Sequence, residues 1–168
     1  MNIRVGGSSD LDALMSLEAQ CFDVDQWGRQ AWLDELDGSG RVVLLATAPD
    51  TVCSDDGCQA FDRLVSAACF HAAADTSELY RVMTSPDCRG LGLATLLLVR
   101  GFEWAAGLGA TEMLLEVRAG NTARALYTDV GFVPLYERTN YYGPGLDAVV
   151  MRCELVARPM SHTAGRQP

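Results

Sequence analysis

The sequence predicts an α/β protein of the α+β type, with a mixed, mostly antiparallel sheet of about six to seven strands flanked by about four helices. Two observations lead to this prediction. Short apolar runs of strand length recur along the chain, and helical stretches of different lengths lie between them. The resulting order, β, α, α, β, β, β, α, β, α, β, β, lacks the repeated strand-helix-strand units of a wholly parallel sheet.

The first half of the chain is expected to contain one strand, two helices and three further strands. Residues 3–5 form a short strand, and Ser8 or Ser9 caps a helix whose apolar stripe ends near Phe22. A second helix lies near residues 27–36 and ends at the glycine-containing break that follows. Residues 42–48 are predicted as a buried strand, 49–62 as a polar loop, and 64–74 and 79–84 as two more strands.

The second half is expected to contain two helices and three strands. An apolar helix runs to Gly107, and residues 113–117 form the next strand. A short helix over 121–130 is closed by Gly131, and residues 132–138 and 148–155 make the last two strands. A chain of 168 residues suits one core, so a single domain is expected over residues 1–156. Residues 157–168 are expected to form a flexible carboxyl-terminal tail.

Composition and charge indicate which classes of molecule the protein is expected to bind. The formal net charge is −9, and every basic side chain apart from histidine is arginine, with no clustering. This balance argues against a nucleic-acid partner and is compatible with a basic protein or peptide. No apolar run reaches the roughly 18 residues of a membrane span, and the first ten residues lack the pattern of a signal peptide. We therefore expect a cytoplasmic protein without a membrane partner, a monomer or a weak dimer.

The cysteines do not suggest a metal site. Six cysteines, at positions 21, 53, 58, 69, 88 and 153, contain no CxxC pair. His71 and His162 are the only histidines, and this spacing does not match a four-ligand zinc site, so no metal is expected. Cys53 and Cys58 flank an acidic stretch in the predicted loop, where a disulfide is possible but is not favoured in a reducing cytosol.

The most informative stretch is VMTSPDCRGLGLATLLLV, residues 82–99, where a strand meets a proline turn, a glycine-rich corner and an apolar helix. Small residues at such a corner let backbone N–H groups converge on an anion at the positive end of a helix. The ligand is therefore expected to be a phosphorylated cofactor. The alternatives are a purely structural strand-to-helix turn and a dinucleotide fold, whose GxGxxG pattern is not met here. The corner consists of Arg89, Gly90, Leu91, Gly92, Leu93 and Ala94.

A second stretch, residues 114–151, places a carboxylate and a phenol where acid–base chemistry needs them. Glu116 is the one charged residue inside an apolar strand, and alternation directs it away from the face of Leu115 and Val117. Tyr127 lies on the short helix that follows. The alternatives are a solvated strand position for Glu116 and a packing role for Tyr127.

These two stretches together resemble the GNAT superfamily of acetyl-CoA-dependent N-acetyltransferases, over nearly the whole chain. Residues 89–94 fit its signature of arginine or glutamine, two variable residues, glycine, one variable residue, then glycine or alanine. More narrowly, the chain resembles the RimI type, the ribosomal-protein-alanine N-acetyltransferases. That similarity rests on LEVR at 115–118, ALY at 125–127, GF at 131–132, Arg138, Tyr141-Tyr142, Asp147-Ala148, Cys21-Phe22 and Trp27.

The resemblance implies a GNAT fold, acetyl-CoA as cofactor with CoA as product, and a set of site residues. Glu116 is implied as general base and Tyr127 as general acid. The spacing from Asn121 to Tyr127 is one residue shorter than in that pattern. Implied cofactor-binding residues are Val82, Met83, Thr84, Arg89, Gly90, Leu91, Gly92, Leu93, Ala94, Asn121 and Tyr127, and implied substrate-binding residues are Tyr141, Tyr142 and Arg138.

The activity expected from the resemblance is transfer of acetyl to the amino-terminal amine of a protein or peptide, in particular a small-subunit ribosomal protein. A carboxylate and a phenol suit this reaction, because an α-amine with a pKa near 8 must lose a proton before it attacks a thioester. Two alternatives stay open: acetylation of a small-molecule amine, and a noncatalytic acetyl-CoA sensor, which would need neither Glu116 nor Tyr127.

Overall fold

The computed structural model describes residues 1–54 and 57–155, and the side chains of residues 52–54 and 57 are outside this description. Within these residues the strands are β1 (Asn2–Val5), β2 (Arg41–Ser54), β3 (Gly57–Ala73), β4 (Thr76–Thr84), β5 (Glu112–Arg118), β6 (Val133–Arg138) and β7 (Ala148–Glu154). The α-helices are α1 (Leu11–Cys21), α2 (Arg29–Asp37), α3 (Leu93–Gly107) and α4 (Ala123–Asp129). This order confirms the expected sequence of elements. None of the described helices is both long enough and apolar enough to cross a membrane.

All seven strands belong to one sheet, in the order β1-β2-β3-β4-β5-β7-β6. The β4–β5 pair is parallel, and the five other neighbouring pairs are antiparallel. The crossover from β4 to β5 contains α3, as a parallel pair requires a long connection. The expected fold class, a mixed and mostly antiparallel sheet with flanking helices, is therefore confirmed.

The two parallel strands separate after four residue pairs. Their register runs from Thr76 opposite Glu112 to Leu79 opposite Leu115, and the described remainder of β4 has no partner in β5. A bulge accompanies the separation, because Phe70 of β3 pairs with Leu79 whereas Cys69 pairs with Arg81. Tyr80 is thus the extra residue, which bends β4 and increases its twist. A gap opens in the middle of the sheet.

Apolar side chains on the two faces of the sheet form two cores. One core packs under α3 and α4 and includes Phe70, Leu97, Met113, Phe132 and Met151. The other packs under α1 and α2 and includes Leu14, Trp32, Leu45, Ala67 and Cys69. Because α1 and α2 contact the β2–β4 side of the sheet, the same face of β5, β7 and β6 is not covered by either helix.

The expected loop over residues 49–62 is wrong. Residues 49–54 extend β2 and residues 57–62 extend β3 into a long hairpin arm, with Asp50 opposite Phe61 and Cys53 opposite Cys58. Pro49 is tolerated because β1 begins with Asn2 opposite Thr47, so its ladder with β2 does not reach Pro49 and needs no donor there. Cys58 is disulfide-bonded, against the sequence expectation. The expected tail over 157–168 lies outside the described residues.

Candidate active site

A cleft of about 900 Å³ occupies the gap between the separated ends of β4 and β5. Its walls come from β4, the glycine-rich corner, the end of β5, the start of α4 and the chain between α1 and α2. On the opposite side of the gap lies a second cavity of about 430 Å³, against the face of the sheet that α1 and α2 leave uncovered. Three residues line both cavities and so form the wall between them: Tyr80, Glu116 and Tyr142.

The glycine-rich corner presents a run of free backbone donors to the cleft. Gly90 and Gly92 have φ values of 78° and 75°, a left-handed conformation that favours glycine. Within the described residues, the N–H groups from Gly90 to Thr95 have no hydrogen-bond acceptor, and the first paired one belongs to Leu96, which donates to Gly92 O at 3.0 Å. These donors lie at the positive end of the 15-residue helix α3. The corner therefore suits a phosphate or pyrophosphate group.

Side-chain contacts hold the corner in place. The Arg89 guanidinium donates through Nε to Thr84 O at 3.3 Å, which ties the corner to the end of β4. In the preceding turn Asp87 accepts hydrogen bonds from Ser85 and from Arg63 of β3, the latter at 2.8 Å. The Ser85 hydroxyl and the Arg63 guanidinium lower the pKa of Asp87 to about 2. The turn before the corner is thus fixed by charge as well as by Pro86.

The end of β4 offers the cleft an unpaired strand edge. Val82, Met83 and Thr84 pair with β3 on one side, and on the other side β5 has moved away. All three line the cleft. Backbone groups along such an edge can bind an extended, amide-containing arm as a further strand would bind.

Glu116 lies at the point where β5 leaves β4. The Glu116 carboxylate forms an ion pair with Arg138 Nη1 at 2.7 Å, and the Glu116 side chain is 30% exposed. A hydrogen bond to Glu116 raises the pKa of the Tyr141 phenol. The carboxylate is therefore oriented by one guanidinium and one phenol, and it stands between the cleft and the second cavity.

Tyr127 reaches the cleft from α4. It is 8% exposed and packs edge-on against Phe132, with ring centroids 6.0 Å apart. Burial, with a smaller contribution from Tyr142, raises the pKa of Tyr127 to about 12. Among the described residues its hydroxyl has no hydrogen-bond partner. The phenol therefore stays protonated throughout the neutral range.

The structure brings most of the other predicted site residues to these two cavities. Tyr142 lines both, and Arg138 and Tyr141 line the second cavity only. Asn121 lines the cleft, and its Oδ1 accepts a hydrogen bond from the Ala123 N–H at 2.8 Å, at the start of α4. Leu91 is the exception, because its side chain is 65% exposed and does not line the cleft.

Sequence reasoning assigned no site residue to the chain between α1 and α2, which closes one end of the cleft. Asp25 bridges both separated strands there: its carbonyl accepts from Arg81 of β4 at 3.0 Å, and its carboxylate pairs with Arg118 of β5. Arg81 is in turn paired with Glu18, which is 1% exposed. The available signal was Arg81 itself, a basic residue between the strand residues Tyr80 and Val82.

Together these features define an enzyme-type site. An anion-binding helix start and an open strand edge can hold a long phosphorylated donor, and Glu116 and Tyr127 line the same cleft. A phenol and a carboxylate are groups that can take part in proton transfer.

Comparison with known proteins places this chain in a family. The model of the Acetyltransferase (GNAT) family matches residues 11–132. The chain belongs to this acetyltransferase family, as the sequence resemblance indicated.

Individual relatives agree with this placement. An uncharacterized protein of Mycobacterium leprae is 34% identical over 149 residues, which are 87% of this chain and 38% of that protein. The [ribosomal protein bS18]-alanine N-acetyltransferase of Haemophilus influenzae is 33% identical over 98 residues, 56% of this chain and 67% of that one. The chain thus spans well under half of the first relative and about two thirds of the second.

Solved structures share the fold. The ribosomal-protein-S18-alanine N-acetyltransferase of Escherichia coli superposes with a TM-score of 0.75 at 22% identity, covering 95% of this chain and 97% of that one. An aminoglycoside 6'-N-acetyltransferase complexed with coenzyme A superposes with a TM-score of 0.77 at 14% identity, covering 95% and 99%.

Proposed function

We propose that the protein is an acetyl-CoA-dependent N-α-acetyltransferase that acts on the amino-terminal amine of a protein or peptide. The observation that carries the proposal is the position of Glu116, in the wall between a cleft suited to a phosphorylated donor and a second cavity open to solvent. Relatives from Haemophilus influenzae and Salmonella typhimurium are named [ribosomal protein bS18]-alanine N-acetyltransferases. A small-subunit ribosomal protein is therefore the acceptor proposed here.

The residues of the cleft fit acetyl-CoA. The free N–H groups from Gly90 to Ala94 would bind its pyrophosphate, and the unpaired edge at Val82–Thr84 would bind its pantetheine arm. When bound, acetyl-CoA supplies the thioester whose acetyl group is transferred. Asn121 and Tyr127 line the same cleft and would contact the far end of the arm.

Glu116 is the proposed general base. An α-amine of pKa about 8 is mostly protonated at neutral pH and must lose that proton to become nucleophilic. An amine that enters from the second cavity meets the Glu116 carboxylate first, because this residue lies in the dividing wall. Arg138 at 2.7 Å and the Tyr141 phenol hold the carboxylate in place. Arg138, Tyr141 and Tyr142 would bind the first residues of the peptide.

Tyr127 is the proposed general acid. Acetyl transfer would replace the C–S bond of the thioester by a C–N bond, and the departing thiolate would need a proton. Tyr127 keeps its phenol proton at neutral pH, because burial raises its pKa to about 12. Its position on the cleft side of the wall, opposite the amine entrance, suits donation to the sulfur.

The test is acetyl transfer to short peptides with Ala, Ser, Met or Gly at the amino terminus, with small amines as a parallel panel and thiol release as readout. Wild-type enzyme is expected to acetylate the α-amine of a peptide that begins with the amino-terminal sequence of ribosomal protein bS18. Glu116→Gln is expected to lower kcat by about 10²–10⁴ with little change in acetyl-CoA affinity. Glu103→Gln, in an exposed pair on α3, is the matched control and should keep the wild-type rate.

Three results would contradict parts of the proposal. An unchanged rate in Glu116→Gln removes this residue from the base role. If small amines are acetylated and no peptide is, the proposed chemistry stands and the acceptor is a small-molecule amine instead of a peptide. Tight acetyl-CoA binding without transfer to any amine would show that the protein is a noncatalytic acetyl-CoA sensor.

A further inference from the structure

Residues 22–27, which lie between α1 and α2, cross the gap between β4 and β5, and we call them the strap. They are neither helix nor strand, and residues 22–25 line the cleft. Asp25 contacts both separated strands: its carbonyl accepts a hydrogen bond from Arg81 of β4 at 3.0 Å, and its carboxylate pairs with Arg118 of β5. The strap is thus attached on both sides of the gap.

The attachment of the strap to β4 is buried. The Arg81 side chain is 13% exposed and is paired with Glu18, which is 1% exposed. The Arg81 guanidinium also lies 4.6 Å from the ring centroid of Phe22 and 4.3 Å from that of Trp27, the first and last residues of the strap. A guanidinium held by two rings and a buried carboxylate is costly to displace. Both ends of the strap are therefore fixed on the β4 side.

The attachment of the strap to β5 is exposed and weak. The side chains of Arg118 and Asp25 are 40% and 64% exposed, and an ion pair of this kind contributes little and is screened by salt. The backbone of Asp25 is also strained, because its φ of 62° lies in the left-handed region. When the pair separates, Arg118 keeps a second contact, since its guanidinium lies 5.1 Å from the ring centroid of Tyr142. A weak pair opposed by backbone strain gives two strap positions of similar free energy.

This releasable pair stands beside the site of the proposed reaction. Arg118 follows Glu116 by two residues on β5, and side chains at this spacing point to the same face of a strand. Asp25, Glu116 and Tyr142 line the same cleft. The strap therefore covers the end of the cleft at Glu116, where the thioester of a bound donor would lie.

We propose that the strap is a gate over this end of the cleft, with its hinge at Arg81 and its latch in the Asp25–Arg118 pair. The inference rests on the proposed acetyltransferase function. The closed strap keeps bulk water from the thioester until an amine arrives. With the strap open, water competes with the amine: its oxygen bonds to the acetyl carbon as the C–S bond breaks, so that acetyl-CoA and water become acetate, CoA thiol and one proton.

The test measures thiol release from acetyl-CoA in the absence of any amine, in the wild type and in Asp25→Asn. Asparagine tolerates the left-handed region as aspartate does, and the substitution retains the carbonyl that binds Arg81 while removing the charge. Amine-free thiol release is expected to be about twofold to fivefold faster in Asp25→Asn, the range of an exposed ion pair. In the wild type it should rise between about 0.05 and 0.5 M salt, and in Asp25→Asn it should not.

Asp23→Asn is the matched control. Asp23 is an exposed residue of the same strap, and within the described residues it forms no ion pair, so this variant should keep the wild-type rate of amine-free thiol release. Arg118→Gln should release thiol faster, as Asp25→Asn does. Because both substitutions break one latch, the double variant should be no faster than the faster single variant.

The affinity for coenzyme A, measured by calorimetry, separates a gate from a cofactor-binding residue, and it should stay within about twofold of the wild type in Asp25→Asn. An unchanged rate of thiol release in Asp25→Asn, an equal rise in Asp23→Asn, additive effects in the double variant or a large loss of coenzyme A affinity would overturn the inference. Each of these results would leave the proposed function standing. A wild-type protein that transfers acetyl to no amine would overturn the proposed function and this inference with it.

Discussion

Replacement of Glu18 by glutamine is expected to destabilise the protein strongly, although Glu18 lies outside the proposed catalytic pair. Glu18 is 1% exposed, in the core under α1 and α2. Its carboxylate accepts hydrogen bonds from the Trp27 N–H at 3.0 Å, from the Trp32 indole and from the Arg81 guanidinium. It thus joins α1, α2 and β4 at one buried point.

The expected loss of unfolding free energy is set by the Arg81 charge, which the substitution leaves without its partner. The Arg81 side chain is 13% exposed and has its charge partner in Glu18, with burial tending to lower the pKa of Arg81. Removal of one partner of a buried pair leaves an uncompensated charge and costs about 3–5 kcal/mol. For a chain of this size each kcal/mol lowers Tm by about 2–4 °C, so Tm is expected to fall by roughly 6–20 °C.

The assay is urea denaturation with thermal melting as a second readout, and the control is Glu103→Gln. Glu103 forms an ion pair with Arg100 on the surface of α3, and the two side chains are 47% and 56% exposed. Loss of that pair should cost no more than about 0.5 kcal/mol. Equal losses of unfolding free energy in Glu18→Gln and Glu103→Gln would refute the reasoning that burial, not pairing, sets the cost.

Two further predictions concern the packing of α3 and the alkaline behaviour of the site. Gly101→Ala would place its Cβ 2.2 Å from the ring of the buried Phe70, so it is expected to cost about 1–3 kcal/mol in urea denaturation. Gly107→Ala on the same helix meets nothing within 4 Å and should be neutral or stabilising by up to about 1 kcal/mol; equal effects would contradict the packing. The pKa of Tyr127 is about 12 against an ordinary 10.0, so the folded protein keeps a proton that the unfolded chain loses, and stability should fall as pH rises through this window. Tyr127→Phe should remove part of that fall, up to about 2–3 kcal/mol, measured by urea denaturation on either side of pH 10; an identical fall in both proteins would contradict the assignment.

Much of the fold could be predicted because local patterns and global packing agree. The order of helices and strands follows from apolar periodicity, and the corner at Gly90 and Gly92 follows from the need for left-handed backbone beside a helix start. The hairpin arm over residues 49–54 and 57–62 could not be predicted in this way. Its proline and aspartates are typical of loops, and only the register between β2 and β3 pairs its backbone groups.

The candidate site was likewise predicted from the sequence only in part. Glu116 and Tyr127 were predicted from a charge inside an apolar strand, from the short helix that follows and from the family pattern, and their roles stay predictions. Tyr80 and Asp25 were not predicted. Tyr80 enters the wall between the cavities through a bulge, and Asp25 through contacts with Arg81 and Arg118, which are 56 and 93 residues away in the chain.

The sequence by itself determined the order of the helices and strands and the left-handed backbone of the corner before α3, because these depend on neighbours within a few positions. Only the tertiary structure decided where β4 and β5 part, and hence that Glu116 lies between two cavities. The physical reason is that strand separation results from a bulge and from competition between partner strands. The residues that line the gap do not by themselves encode either of these two causes.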